Sequence, residues 1–168
     1  KPFATNIVEN RFIFMQRNET DLSGISLHID GDINGYYGEQ AGALTGEITN
    51  SNGQTNAFGG IKFTVGTWHH VAMVYDATGG QLKCFVDGTQ YGSTVSISKT
   101  LSFGTSHALI GADYDGLNSS LGNYFNGQID EVRLWNVART STEIANNRNA
   151  ELTGSPSGLV GYWKLNTV

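Results

Sequence analysis

The chain has little proline, 2 residues in 168, and a single cysteine. One cysteine excludes an internal disulfide. Cys84 alternates in phase with Leu82 and Val86, which marks it as a small core residue rather than a nucleophile. Charge is scarce too: Asp, Glu, Lys and Arg make up 15% of the chain, the formal net charge is -5, and no basic run occurs. A nucleic acid or an anionic membrane is therefore excluded as the expected partner. No apolar run approaches the roughly 18 residues that a membrane-spanning helix needs. No signal-peptide pattern opens the chain and Lys1 is not an initiator methionine, so the expectation is a processed chain or a piece of a longer one.

What is abundant is glycine, 22 residues, with many Asn, Ser and Thr. That profile suits short strands joined by turns, not helices. The length, 168 residues, suffices for one domain with a sizeable core.

The organising stretch is Phe125 to Trp135, Phe-Asn-Gly-Gln-Ile-Asp-Glu-Val-Arg-Leu-Trp. Taken with the period of a strand, it puts Asp130, Val132 and Leu134 on one face and Ile129, Glu131, Arg133 and Trp135 on the other. The aliphatic face looks into a core, which places Asp130 at the inner rim. A carboxylate there has to be answered by backbone amides, an arginine or a bound calcium ion.

Strands are expected over 10–17, with Phe12 and Phe14 on one face and Ile13 and Met15 on the other. The next runs over 25–29, with Ile25, Leu27 and Ile29 in register and His28 at the surface with Ser26 and Asp30. Residues 33–37 pair back across a turn, 44–49 form a strand, and 50–56 form a loop. The strand over 68–76 is apolar on both faces and is expected to be central. Strands 82–86 and 90–98 bracket the hairpin signal Asp87-Gly88. A short strand over 107–112 precedes a polar loop over 113–123, and another strand closes the chain over 158–165. One helix is expected over 141–148, opened by a capping box of Thr140 and Glu143. About ten short strands at this spacing imply a two-sheet sandwich.

Three motifs carry a family resemblance. Phe125 to Asn136, followed by Ala138-Arg139 and Ser141 to Ile144, resembles the closing signature of laminin-G-like, concanavalin A-like jelly-roll domains. Gly-Thr-Trp-His-His-Val-Ala-Met-Val-Tyr-Asp, Gly66 to Asp76, resembles that family's central strand, and Leu82 to Gly88 resembles the strand and turn after it. The resemblance implies an all-β, two-sheet antiparallel jelly-roll sandwich. Family members open with two further strands, one of which ends near a Trp-(Val/Ile)-Lys-Pro, and this chain begins at Lys1-Pro2. The tail over 158–168 resembles the strand with which such a domain, or the next repeat of an array, begins. The implied division is a jelly-roll domain over 1–157 without its opening strands and a closing strand over 158–168. Either the tail folds back, as in a permuted domain, or a neighbouring domain or chain supplies a strand to an open edge.

Calcium, as a structural aid, has Asp113, Asp115 and Asp130 as candidate ligands. Asp113-Tyr-Asp115-Gly-Leu-Asn118 offers alternate oxygen side chains around a glycine, which suits a hard cation. A solvated Asx turn is the plain alternative. It is not an EF-hand, since Tyr124 stands at the twelfth position. The resemblance implies that the aspartate matching Asp130 helps hold a structural calcium, with partners from the opening strand. For a glycan, Tyr36, Tyr37, Tyr114 and Asn118 are the candidate binding residues: rings and an amide in or beside polar loops, where ordinary loop packing is the alternative. Trp68, Trp135 and Trp163 are expected to pack within strands. His69 and His70 point to opposite faces of a strand and cannot converge on one ion.

Catalysis is not expected. Retaining glucanase relatives place acid and nucleophile about 5 Å apart on a Glu-x-Asp-x-x-Glu run, which is missing here, and Asp130 and Glu131 diverge. No Gly-x-Ser-x-Gly elbow occurs. Sequons stand at Asn18 and Asn118. The reading is a non-catalytic extracellular module, secreted or at the cell surface, that binds a glycan or matrix component. The alternative is a structural repeat or assembly subunit joined through an incomplete sheet edge.

Overall fold

A computed structural model describes residues 10–18, 23–31, 42–50, 53–97, 107–115 and 120–166, with the backbone alone at 50, 53–62 and 115. The chain runs β1 (Arg11–Arg17), β2 (Gly24–Ile29), β3 (Ala43–Asn50), β4 (Gly53–Lys62), β5 (Val71–Asp76), β6 (Gln81–Val86), β7 (Thr89–Ser96), β8 (His107–Ile110), β9 (Asp113–Asp115), β10 (Ser120–Gly122), β11 (Val132–Trp135), α1 (Ser141–Asn147) and β12 (Leu159–Trp163).

Two sheets form a sandwich. The first has the order β4-β3-β2-β1-β8, and the second β5-β6-β7. Every ladder in them is antiparallel, as expected for an all-β chain. Alternation sends Leu27, Ile29 and Leu44 inward against Phe63 and Val86, and Ile48 against Leu82 and Cys84. Each of these large aliphatic side chains contributes about 1.5–3 kcal/mol on burial. The outer face of the second sheet is covered by α1, whose Ile144 packs on Val74 and Phe85. The helix opens with the predicted capping box: Thr140 Oγ1 accepts from the Glu143 amide at 3.3 Å, and Glu143 Oε2 accepts from the Thr140 amide at 2.8 Å. The β6–β7 turn places Asp87 at φ 50 and Gly88 at φ 82, the left-handed pair of a tight hairpin. Gly88 also lies under α1, where a Cβ would stand 2.8 Å from Ala145 Cα.

Several expectations are corrected. A bulge between Phe12 and Phe14 resets the alternation of β1, so Phe12 and Met15 are the buried residues, 3% and 1% exposed. His28 is 2% exposed, not at the surface, and Ser26 and Asp30 are buried with it. Strand β4 begins at Gly53, inside the expected loop, and pairs with β3. The expected loop over 113–123 contains the β9–β10 hairpin. Strand β5 starts at Val71, so Trp68 precedes it and is 51% exposed; among the described residues β5 is an edge strand, not a central one. Residues 33–37 lie outside the described residues.

The organising stretch also differs. Glu131 sits at φ 54, and this left-handed residue breaks the alternation between Asp130 and Val132. Asp130 is exposed, with Oδ1 accepting from the Glu131 amide at 2.9 Å. A backbone amide, one of the three answers open to it, thus meets this carboxylate. Strand β11 pairs antiparallel with β12, so the tail folds back onto it. Glu131 Oε2 accepts from Arg133 Nη2 at 2.7 Å and from Tyr162 Oη at 2.6 Å. The Arg133 guanidinium also donates to the Asn147 carbonyl at 2.7 Å and to the Ala150 carbonyl, which answers carbonyls at the helix C-terminus. No helix among the described residues is long and apolar enough to cross a membrane.

Candidate functional site

The first sheet carries a polar face opposite its core. Register defines its rows: Phe12, His28 and Thr45; Met15, Ser26 and Glu47; Arg17, Gly24 and Thr49. Gly24 puts no side chain on the third row, between Arg17 and Thr49. Arg17 Nη2 stands 3.8 Å from Glu47 Oε1, and Nη1 stands 4.0 Å from Asp113 Oδ1. These are ion-pair distances, longer than a direct hydrogen bond. Thr49 Oγ1 donates to Glu47 Oε1 at 2.8 Å. Arg17's side chain is 22% exposed, whereas Glu47 and Asp113 are buried, so the guanidinium is the part of this cluster that reaches solvent.

Behind them, His28 is sealed in. Its ring stacks on Phe12 at 4.8 Å between centroids, and Nδ1 lies 3.2 Å from Ser26 Oγ. Burial lowers its pKa to about 4; Asp30 opposes the shift and Arg17 adds to it. His28 is therefore a neutral structural element of this face.

The β9–β10 hairpin borders the cluster. Phe12 donates its amide to the Asn123 carbonyl at 3.2 Å, and Phe12 bridges to Tyr124. Asn123 adopts φ 49 and brings Nδ2 to 3.4 Å from Asp113 Oδ2. Alternation along β9 turns Asp113 toward Arg17 and Tyr114 the other way, opposite Leu121. Leu121 and Tyr124 are 49% and 58% exposed, and Tyr124 Oη donates to the Leu121 carbonyl at 3.2 Å. A guanidinium with two carboxylates can hydrogen-bond hydroxyl groups, and an exposed aromatic ring can cover a C–H face.

Of the residues expected at a site, Asp113 and Tyr114 lie in this hairpin. Tyr36, Tyr37 and Asn118 lie outside the described residues, and of Asp115 only the backbone is described. Asp130 is elsewhere: it lines a cleft beside β11 to which Asp113 does not contribute. No group of three or more His, Cys, Asp or Glu side chains fit for a metal ion is found among the described residues. Arg17 and Glu47 were not expected. Their signal in the sequence is slight: a charge at alternate positions of strands otherwise apolar or uncharged.

Residues 7–145 match a family profile described as the concanavalin A-like lectin/glucanases superfamily, in its laminin G-like branch. No curated protein sequence matches the chain. Among solved structures, the heptameric SAP-like pentraxin of Limulus polyphemus aligns with a TM-score of 0.60 at 19% identity, over 86% of this chain and 64% of its own. A candidate carbohydrate-binding protein of Bacteroides ovatus gives 0.65 at 20% identity, over 98% of this chain and 47% of its own. The CBM40 of a Ruminococcus gnavus IT-sialidase gives 0.64 at 14% identity, over 89% of this chain and 78% of its own. The chain thus spans less than two thirds of the first two relatives. These likenesses establish the jelly-roll sandwich fold.

Proposed function

This chain belongs to the concanavalin A-like lectin/glucanases superfamily, and from that premise we propose that it is a non-catalytic carbohydrate-binding module. The observation that carries the reading is Arg17 set between Glu47 and Asp113, with Tyr124 exposed one residue beyond Asn123, whose amide reaches Asp113. The likeness to a CBM40 and to a candidate carbohydrate-binding protein supports it. The superfamily also contains glucanases, whose chemistry needs one carboxyl group to give a proton while the other attacks or activates water. Glu47 and Asp113 both direct their charge at one guanidinium, an arrangement for holding hydroxyl groups rather than for proton transfer. In this proposal the module works outside the cell, as part of a secreted or surface protein, on a glycan or matrix component. Calcium enters as a structural aid, with Asp113 and Asp115 of β9 as oxygen donors and Asp130 as a separate candidate. A second reading, a structural repeat joined to its neighbours through a sheet edge, is favoured by the edges of β5 and β11, which have no second partner strand among the described residues.

The test is a glycan array on the folded chain, run with calcium and with a chelator. Binding in both arms supports the lectin-like reading without calcium; binding lost on chelation adds the metal. A folded chain that binds nothing in either arm overturns the reading in favour of the structural repeat.

A further inference from the structure

The Arg17 cluster holds one positive charge and two negative ones. Arg17 Nη2 stands 3.8 Å from Glu47 Oε1, and Nη1 stands 4.0 Å from Asp113 Oδ1. Both gaps exceed hydrogen-bond length, so these carboxylates compensate the guanidinium without taking up its N–H donors. Glu47 and Asp113 are buried, whereas the Arg17 side chain is 22% exposed. A ligand therefore meets the guanidinium first, with both carboxylates behind it. His28 adds no charge at pH 7, because burial lowers its pKa to about 4.

A lone guanidinium favours an acidic ligand, since a carboxylate accepts two N–H bonds from its planar fork. Here the flanking charges reverse that preference. A ligand carboxylate about 3.5 Å from the Arg17 charge would stand about 7 Å from each carboxylate behind it, and Coulomb energy falls as 1/r. Two like charges at twice the distance cancel one opposite charge at the shorter distance. The desolvation of the incoming anion is then left uncompensated. The chain's formal net charge of -5 repels it at longer range as well. A sugar hydroxyl meets neither cost, and its oxygen accepts from the same N–H groups. Resting on the carbohydrate-binding reading above, we infer that Glu47 and Asp113 make this a site for uncharged sugars and turn acidic sugars away. In this role the two carboxylates set specificity through Arg17, without touching the ligand themselves.

The test uses three forms of one oligosaccharide bound on the array: the neutral sugar, the uronic acid made by oxidising its C6 hydroxyl, and the methyl ester of that acid. Each is titrated onto the full chain with a chelator present, so that no cation shares Asp113. The acid is expected to bind at least about tenfold more weakly than the ester, which has nearly the same size without the charge. Raising the salt from about 20 mM to about 500 mM should narrow that gap, because screening weakens the repulsion. Glu47→Gln should narrow it by at least about fivefold, with a melt to show that the variant is folded; the salt series needs no variant. An acid that binds as well as its ester overturns the inference and leaves the glycan reading standing. So does a gap that neither salt nor a folded Glu47→Gln changes, and so does an ester as weak as the acid, because size then excludes both. Binding that appears only when calcium is added overturns it too, since the cation then sets the charge of the site. If no sugar on the array binds in either arm, the glycan reading falls and this inference with it.

Discussion

Gly46 lies directly over Cys84 across the sandwich: a Cβ at position 46 would stand 2.5 Å from the Cys84 Sγ and 2.9 Å from the Met73 Sδ. The two sheets meet where one strand has no side chain and the other has a small one. Gly46→Ala is expected to cost about 1–3 kcal/mol through overpacking. Cys84→Ala vacates the sulfur position, so the double variant should lose less than the sum of the two single losses. Urea unfolding of the four proteins measures that coupling.

The same burial governs the thiol. Cys84 is pushed up to about 12 by desolvation, with a backbone hydrogen bond at Gly46 opposing the shift. A thiolate is the reactive form, so a disulfide reagent at pH 8 is expected to leave the native chain unmodified. Labelling should follow opening of the sandwich and become fast in urea.

Stability is expected to fall with acid below neutrality. His28 titrates at about 4 in the fold and at 6.5 when exposed, so the unfolded chain takes up the proton first. Its contribution is complete above pH 6.5 and drains away toward pH 4, about 3 kcal/mol in all. His70, also lowered by burial and by Arg133, acts with the same sign. His28→Gln should flatten the dependence of unfolding free energy on pH between 4 and 6.5 without abolishing it.

Arg133 serves Glu131 and two helix-end carbonyls at once. Arg133→Met leaves the two carbonyls unanswered and Glu131 with the Tyr162 hydroxyl alone. Glu131 is 25% exposed, so the loss should fall short of the about 3–5 kcal/mol of a fully buried pair and lie nearer 2–3 kcal/mol. Tyr162→Phe removes the hydroxyl that donates to Glu131 and accepts from the Leu152 amide, with an expected cost of about 1–2 kcal/mol. Chemical denaturation checks both.

For the binding face, Tyr124→Ala is expected to weaken the glycan found on the array by at least about tenfold. The melting temperature should hardly move, because the side chain is exposed. Arg17→Lys keeps the charge but loses the planar fork, and should weaken binding while the fold persists. Calorimetric titration alongside a melt separates the two effects.

Much of the fold was legible because its signals are local. The capping box needs only Thr140 and Glu143, and the hairpin only Asp87-Gly88. Apolar alternation in 25–29 and 82–86 fixed the inner faces of two strands. What escaped depends on single backbone torsions or on distant neighbours. Nothing in Ile-Asp-Glu-Val announces that Glu131 turns left-handed, and that turn moves Asp130 from a core rim to solvent. The bulge in β1 likewise transfers burial from Phe14 to Met15. His28 looked like a surface residue because Ser26 and Asp30 flank it, yet a polar strand face can be buried when its partners come from other strands. The site was half legible: Asp113 and Tyr114 lie in a loop that advertises oxygen ligands, but Arg17 and Glu47 join it only through β1, β2 and β3 pairing.

Strand β1 pairs on one side with β2, next in the chain, and on the other with β8, at Phe14↔Ile110. During synthesis its second edge waits while 96 further residues are made, the span from 14 to 110, roughly 5–20 s at about 5–20 residues per second. Through that interval the ribosome-bound chain displays Phe12-Ile13-Phe14-Met15 along a naked edge, an invitation to pair with any other nascent strand nearby. The last strand to join the sheet is thus also the one that ends its exposure to misassembly.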